Sequence, residues 1–161
     1  MPDNNKMKNL NFPLTLKYPA FRDSSIKNNA SQEKGMSSSV TKKVLVIDYN
    51  EAILDVLKII ITDAGYIFLS PLSALIPEKI SALQPDLILI EDQLYNLPEG
   101  RKISRNLKRS VLTSSIPIVM MTTAAEPKDL ISESQADILL IKPFDINNLE
   151  AVLHRCSKNN S

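Results

Sequence analysis

Four short runs, VLVID (44–48), LILI (87–90), IVMMT (118–122) and ILLI (138–141), are apolar at nearly every position. A strand with one wet face alternates apolar and polar residues. A strand covered on both faces does not, so these runs read as strands of a parallel sheet with helices on either side. Between them lie stretches with helical spacing. Asn50 is placed to cap a helix carrying Ile53, Leu54, Leu57, Ile60 and Ile61 on one face, and Ala64-Gly65 ends it. IFLS (67–70) supplies a further strand. Residues 73–83 read as a short helix that tolerates Pro77 at its start or at a kink. Ile103, Leu107 and Val111 mark the inner face of a third helix. Pro127 can open a fourth, with Leu130 and Ile131. Asp145 caps a last helix that turns Ile146, Leu149, Val152 and Leu153 inward.

The pattern is five strand-then-helix units. Right-handed crossovers then leave a doubly wound, five-stranded parallel sheet as the natural α/β solution. The 161-residue chain is long enough for one such domain with a real core, over residues 40–158.

Residues 1–39 differ. Asn, Ser and Lys dominate, and six basic residues (Lys6, Lys8, Lys17, Arg22, Lys27, Lys34) face three acids (Asp3, Asp23, Glu33). This composition buries too little apolar surface to order itself, so a disordered N-terminal extension is expected. LNFPLTLKYPAF (10–21) is an aromatic island within it, either a docking motif or part of a plain tail. The net charge of +1 gives no argument for nucleic acid or an anionic membrane. The five basic residues between Arg101 and Arg109 read as a solvated helix face. The single cysteine, Cys156, excludes an internal disulfide and fits a reducing, cytoplasmic setting with a free, partly buried thiol. No apolar run approaches the ~18 residues of a membrane span, and the N-terminus has no signal-peptide core.

In doubly wound sheets the working site lies at the carboxyl ends of the strands. Asp48 and Tyr49 follow the first run, Glu91 and Asp92 the third, Thr122 and Thr123 the fourth, and Lys142 the fifth. Carboxylates, a hydroxyl and an ammonium are therefore expected to converge on one crevice. Such a set binds a hard cation through oxygen, or holds a phosphoryl group.

With these residues in place, the chain resembles the receiver domain of two-component response regulators over about residues 41–157. The resemblance rests on KKVLVID (42–48), LKIIITDAGY (57–66), PDLILI (85–90), IPIVMMTT (116–123) and ADILLIKPF (136–144), in order and at the right spacing. It implies a flavodoxin-like (βα)5 fold. It also implies an aspartate after the third strand that accepts a phosphoryl group from a histidine kinase, and acids after the first strand that help bind Mg²⁺. A Thr or Ser and a Lys would contact the phosphoryl oxygens, and an aromatic in the fifth strand would record the switch.

Three positions depart from that pattern. Tyr49 matches the second acid of the first strand, where a phenol is a poor Mg²⁺ ligand and its ring would fill the crevice. Leu139 matches the switch aromatic. The third departure lies in LILIEDQLYNLPEG (87–100). The family's acceptor stands five residues after the Asp of Pro-Asp, which from Asp86 gives Glu91. It also stands eight residues before a glycine, which from Gly100 gives Asp92. Loops absorb insertions more readily than strands, so Glu91 is preferred at the phosphoacceptor position, with Asp92 as the alternative.

The expectation is a stand-alone receiver-like signalling domain, not an enzyme, with no output domain after it. It would act as a degenerate pseudo-receiver through protein contacts, with Glu91 paired to Lys142 as a standing mimic of the phosphorylated state. Asp48, Tyr49, Thr122 and Lys142 line its pocket, and Leu139 occupies the switch position. No cofactor is required, and Mg²⁺ would be held weakly by Asp48 and Glu91 if at all. Partners would be a histidine kinase, a phosphotransfer protein or another regulator, and neither nucleic acid nor membrane. The alternatives are a working single-domain regulator that uses Asp92, and a small-molecule binder in the same crevice.

Overall fold

A computed structural model describes residues 41–71, 75–95, 97, 99–124 and 129–158. The N-terminal extension and its aromatic island lie outside these residues, as does Pro127. The described chain alternates strand and helix: β1 (Lys43–Ile47), α1 (Glu51–Asp63), β2 (Ile67–Leu69), α2 (Pro77–Leu83), β3 (Leu87–Glu91), α3 (Glu99–Arg109), β4 (Ile118–Thr122), α4 (Leu130–Ser134), β5 (Ile138–Ile141) and α5 (Ile146–Lys158). The strands form one parallel sheet in the order β2-β1-β3-β4-β5. This is the flavodoxin-like arrangement, with its switch point between β1 and β3.

Local chemistry sets the ends of the elements. Asn50 Oδ1 accepts from the N–H groups of Ala52 (3.1 Å) and Ile53 (3.4 Å) and so starts α1. The helix stops in a Schellman turn: Tyr66 N–H donates to the Ile61 carbonyl, Gly65 N–H donates to that of Thr62, and Gly65 takes a φ of 86°. Pro77 sits in the first turn of α2, where its missing N–H costs nothing. Asp145 Oδ1 accepts from Asn148 N–H (2.7 Å) at the start of α5.

Two aspartates, each one residue ahead of a strand, clamp the sheet at its opposite edge. Asp86 accepts from Lys43 N–H (2.7 Å) and returns its own N–H to the Lys43 carbonyl (2.8 Å). Asp137 does the same with Ile118 (2.8 and 2.9 Å). The Asp86 clamp starts β3, and pairing then runs without a bulge from Val44↔Leu87 to Ile47↔Ile90 and from Ile88↔Ile118 to Glu91↔Met121. The strand therefore delivers Glu91 as its last paired residue.

Alternation along the strands builds two cores. Val44, Val46, Leu87, Leu89, Val119, Met121 and Leu140 pack under α1 and α5. Leu45, Ile47, Ile88, Ile90, Ile118 and Met120 pack under α2, α3 and α4. Cys156 lies in the first core, where burial pushes its thiol up to about 11. Two positions read as inward are not. Val111 is 93% exposed, because α3 ends at Arg109 and the following turn lifts Val111 off the helix face. Ile146 is 56% exposed in the first turn of α5, before the helix meets the sheet. Among the described residues, no helix is long and apolar enough to cross a membrane.

Candidate functional site

The residues that follow the strands inherit the strands' alternation. Asp48, Glu91 and Lys142 continue the rows that face α1 and α5. Tyr49, Asp92 and Thr122 continue the rows that face α3. The expected single crevice is therefore divided into two sets of contacts.

On the α1–α5 side, Lys142 Nζ donates to Glu91 Oε2. Glu91 is 8% exposed, so its carboxylate lies largely away from water, while Lys142 stays partly exposed. Asp48 Oδ1 accepts from Asn50 N–H (2.9 Å) and helps shape the turn into α1, while its Oδ2 is buried without a hydrogen-bond partner among the described residues.

On the α3 side, Asp92 is 1% exposed and fully engaged. Arg101 grips it with two of its three guanidinium nitrogens, Nε to Oδ1 at 2.6 Å and Nη2 to Oδ2 at 3.0 Å. Thr122 Oγ1 donates to Asp92 Oδ2 (3.1 Å) and accepts from Ala124 N–H (3.0 Å). The remaining nitrogen of Arg101, Nη1, donates to Glu133 Oε2 on α4 (2.6 Å). The hydrogen bonds to Asp92, and then those to Glu133, raise the affinity of the guanidinium for its proton above its ordinary value. The fork is a permanent cation.

Gly100 explains how α3 comes this close. Its N–H donates to the Asp92 carbonyl (3.1 Å), and a Cβ there would lie 1.9 Å from the Glu91 carbonyl oxygen and 2.8 Å from that of Asp92. Only glycine lets the first turn of α3 press on the end of β3, and the next residue, Arg101, then reaches Asp92.

Arg101 is the residue that sequence reasoning missed. It was grouped with a solvated basic face, and that grouping holds for Lys102, which pairs with Glu99 across one exposed turn. It fails for Arg101. It fails also for Lys108, which pairs with Asp137 (2.6 Å) and donates to the carbonyls of Ser114 and Ile116. A usable signal was present: an arginine directly after the glycine that opens the helix facing the strand end.

Tyr49 does not fill the crevice. It is 44% exposed and stacks on Tyr95 at a centroid distance of 5.1 Å and an interplanar angle of 23°. The pair joins the loop after β1 to the loop after β3 at the rim. Leu139 lies half-buried against the core under α2, α3 and α4. Thr123 is exposed.

No family model matches the chain. Among curated proteins it is similar to the DNA-binding dual master transcriptional regulator RpaA of Synechocystis, 32% identical over 112 residues that cover 68% of this chain and 46% of RpaA. It is also similar to the phosphate regulon transcriptional regulatory protein PhoB of Pseudomonas aeruginosa, 33% identical over 132 residues that cover 76% of this chain and 56% of PhoB. The chain thus spans about half the length of these relatives. Among solved structures, a two-component response regulator from Clostridium difficile superposes over 75% of this chain and all of its own, with a TM-score of 0.62 and 26% identity. The sheet order, the residues at the strand ends and these likenesses together identify the described residues as a response-regulator receiver domain of two-component signalling.

Proposed function

We propose that this receiver domain signals through protein contacts with its strand-end charges permanently paired, in place of reversible aspartyl phosphorylation. The observation that carries this reading is the partner choice of the two adjacent carboxylates: Lys142 bonds to Glu91, while both oxygens of Asp92 are taken by Arg101 and Thr122. A nucleophilic oxygen must approach phosphorus in line, and an ångström of misplacement costs about a hundredfold in rate. Glu91 carries one methylene more than aspartate and already neutralises Lys142. Asp92 would have to leave a buried two-armed ion pair before it could attack.

The same residues fit Mg²⁺ poorly. That ion prefers octahedral oxygen ligation, with one or two carboxylates beside several waters. Asp48 offers one unpartnered oxygen, Glu91 is committed to Lys142, and Tyr49 turns outward onto Tyr95. Among the described residues, no three His, Cys, Asp or Glu side chains are grouped to hold a metal. The domain is therefore proposed to work without Mg²⁺, with the Glu91–Lys142 pair holding β3 and β5 together as a standing mimic of the phosphorylated state.

The proposed partners are a histidine kinase, a phosphotransfer protein or another regulator. A protein is favoured over nucleic acid, because three of the five basic residues of α3 are bound to acids of this domain. Incubation with a small phosphodonor and Mg²⁺, read by intact mass, tests the proposal. No mass gain is expected. A phosphoryl adduct that disappears in Asp92→Ala would overturn the reading in favour of a working acceptor at Asp92.

A further inference from the structure

Two surface patches away from the carboxyl ends of the strands carry charges that no described residue answers. The first is the end of α3 and the turn after it. Arg105 and Arg109 stand one helical turn apart, a mutually repulsive spacing, and among the described residues neither has an ion-pair or hydrogen-bond partner. Val111 and Leu112, in the turn beyond, are exposed, Val111 almost completely. This turn is firmly built. Thr113 Oγ1 donates to the Leu107 carbonyl (2.7 Å), Ser114 N–H donates to that of Ser110 (2.8 Å), and Lys108 donates to those of Ser114 and Ile116. Two apolar side chains are thus presented on a braced turn beside two cations that have no partner among the described residues.

The second patch is the outward face of α1. Val56 and Ile59 are exposed on it, between Asp55 and Asp63. Neither aspartate has an ion-pair partner among the described residues. Asp63 is the last residue of the helix, where the macrodipole already disfavours an acid, and the last turn has no basic residue to offset it.

We propose that the α3 turn of one copy docks on the α1 face of a second copy, with Arg105 and Arg109 against Asp55 and Asp63 and with Val111 and Leu112 against Val56 and Ile59. The match is of sign and of kind: cations beside apolar side chains meet acids beside apolar side chains. The helices lie on opposite layers of the sheet, α1 over one core and α3 over the other, so the contact is head-to-tail. Four residues on each side fall well short of the roughly 800 Å² per partner of a stable complex, so the association is weak, steered by charge and sensitive to salt.

Sedimentation velocity of the full chain tests this without reference to the strand-end chemistry. The weight-average mass of the wild type is expected to rise with concentration at low salt, and to fall back toward the monomer at about 0.5 M salt, where the screening length is only a few ångströms. Arg105→Glu with Arg109→Glu places acid against acid, and Asp55→Lys with Asp63→Lys places base against base. Each double variant alone is expected to self-associate about tenfold more weakly or worse. An equimolar mixture of the two restores complementary contacts and is expected to recover association, which also shows that both variants are folded. Val111→Ser with Leu112→Ser is expected to weaken association at every salt concentration. A wild type that stays monomeric across the concentration range, or a mixture that does not recover, overturns the proposal.

Discussion

Glu91 and Asp92 are neighbours in the chain and both are buried acids, yet the fold treats them differently. Glu91 faces α1 and α5 and meets one lysine, a point charge on a flexible stem, reaching from just beyond β5. Asp92 faces α3 and meets an arginine fork and a hydroxyl, and the same fork reaches on to Glu133 of α4. The first contact ties two strand ends. The second ties the end of β3 to α3 and α4 through one guanidinium, and to β4 through the Thr122 hydroxyl on the same carboxylate. Lysine and arginine are not equivalent here, because only the planar fork can serve two carboxylates at fixed angles. The lysine side is the place where a change of charge could be local. The arginine side is a brace.

The largest expected effect strikes the root that both halves share. Gly100→Ala drives a methyl into the Glu91 carbonyl oxygen, so α3 must back away from β3. A loss of about 3 kcal/mol is expected from denaturant unfolding, with both carboxylates losing their present geometry. Arg101→Ala comes next. It leaves Asp92 buried without its cation, which for such pairs costs about 3–5 kcal/mol; water reaching the partly exposed fork reduces this to about 2–3. Arg101→Lys is expected to recover less than half of that loss, since it keeps the charge and drops the fork. Full recovery with lysine would mean that Asp92 needs charge alone, and the contrast between the two halves would fail.

The strands and the Glu91 end of β3 were legible because they rest on local signals, continuous apolar runs and an Asp ahead of LILI; the sheet arrangement was carried by the resemblance to receiver domains. The division of the strand-end residues was equally present, since alternation already sets Asp48 with Lys142 and Asp92 with Thr122. It went unread because strand ends were counted as positions and not as faces. Arg101 was harder. Its role depends on Gly100 allowing a helix onto a strand end, a contact between elements that no periodicity encodes. Val111 misled for the opposite reason. It keeps the four-residue spacing of Ile103 and Leu107, but the helix has stopped two residues earlier. The orientation of Tyr49 follows from a partner, Tyr95, that lies in a different loop.

The lysine side is expected to be cheaper to break. Lys142→Met removes one ammonium from a carboxylate that is slightly better exposed than Asp92, and a loss of about 1–2 kcal/mol is expected by thermal or denaturant unfolding. Combining it with Glu91→Gln is expected to return most of that loss, since no charge is then left buried. A cost for Lys142→Met equal to that of Arg101→Ala would show that Glu91 is braced as firmly as Asp92.

The smallest effect draws the boundary between the halves most sharply. Thr122→Val removes a hydroxyl that donates to Asp92 Oδ2 and accepts from Ala124 N–H, for about 1 kcal/mol. Thr122 and Arg101 share that carboxylate, so their effects are expected to be non-additive by about 0.5 kcal/mol or more in a double-mutant cycle. Thr122 and Lys142 hold different acids, on opposite faces of the sheet, and their effects are expected to add within about 0.5 kcal/mol. The two cycles use the same threonine and one method, so the difference between them isolates which carboxylate each cation serves. Strong coupling of Thr122 to Lys142 would mean that the hydroxyl and the ammonium work on one shared site, and the division into a brace and a local pair would fall.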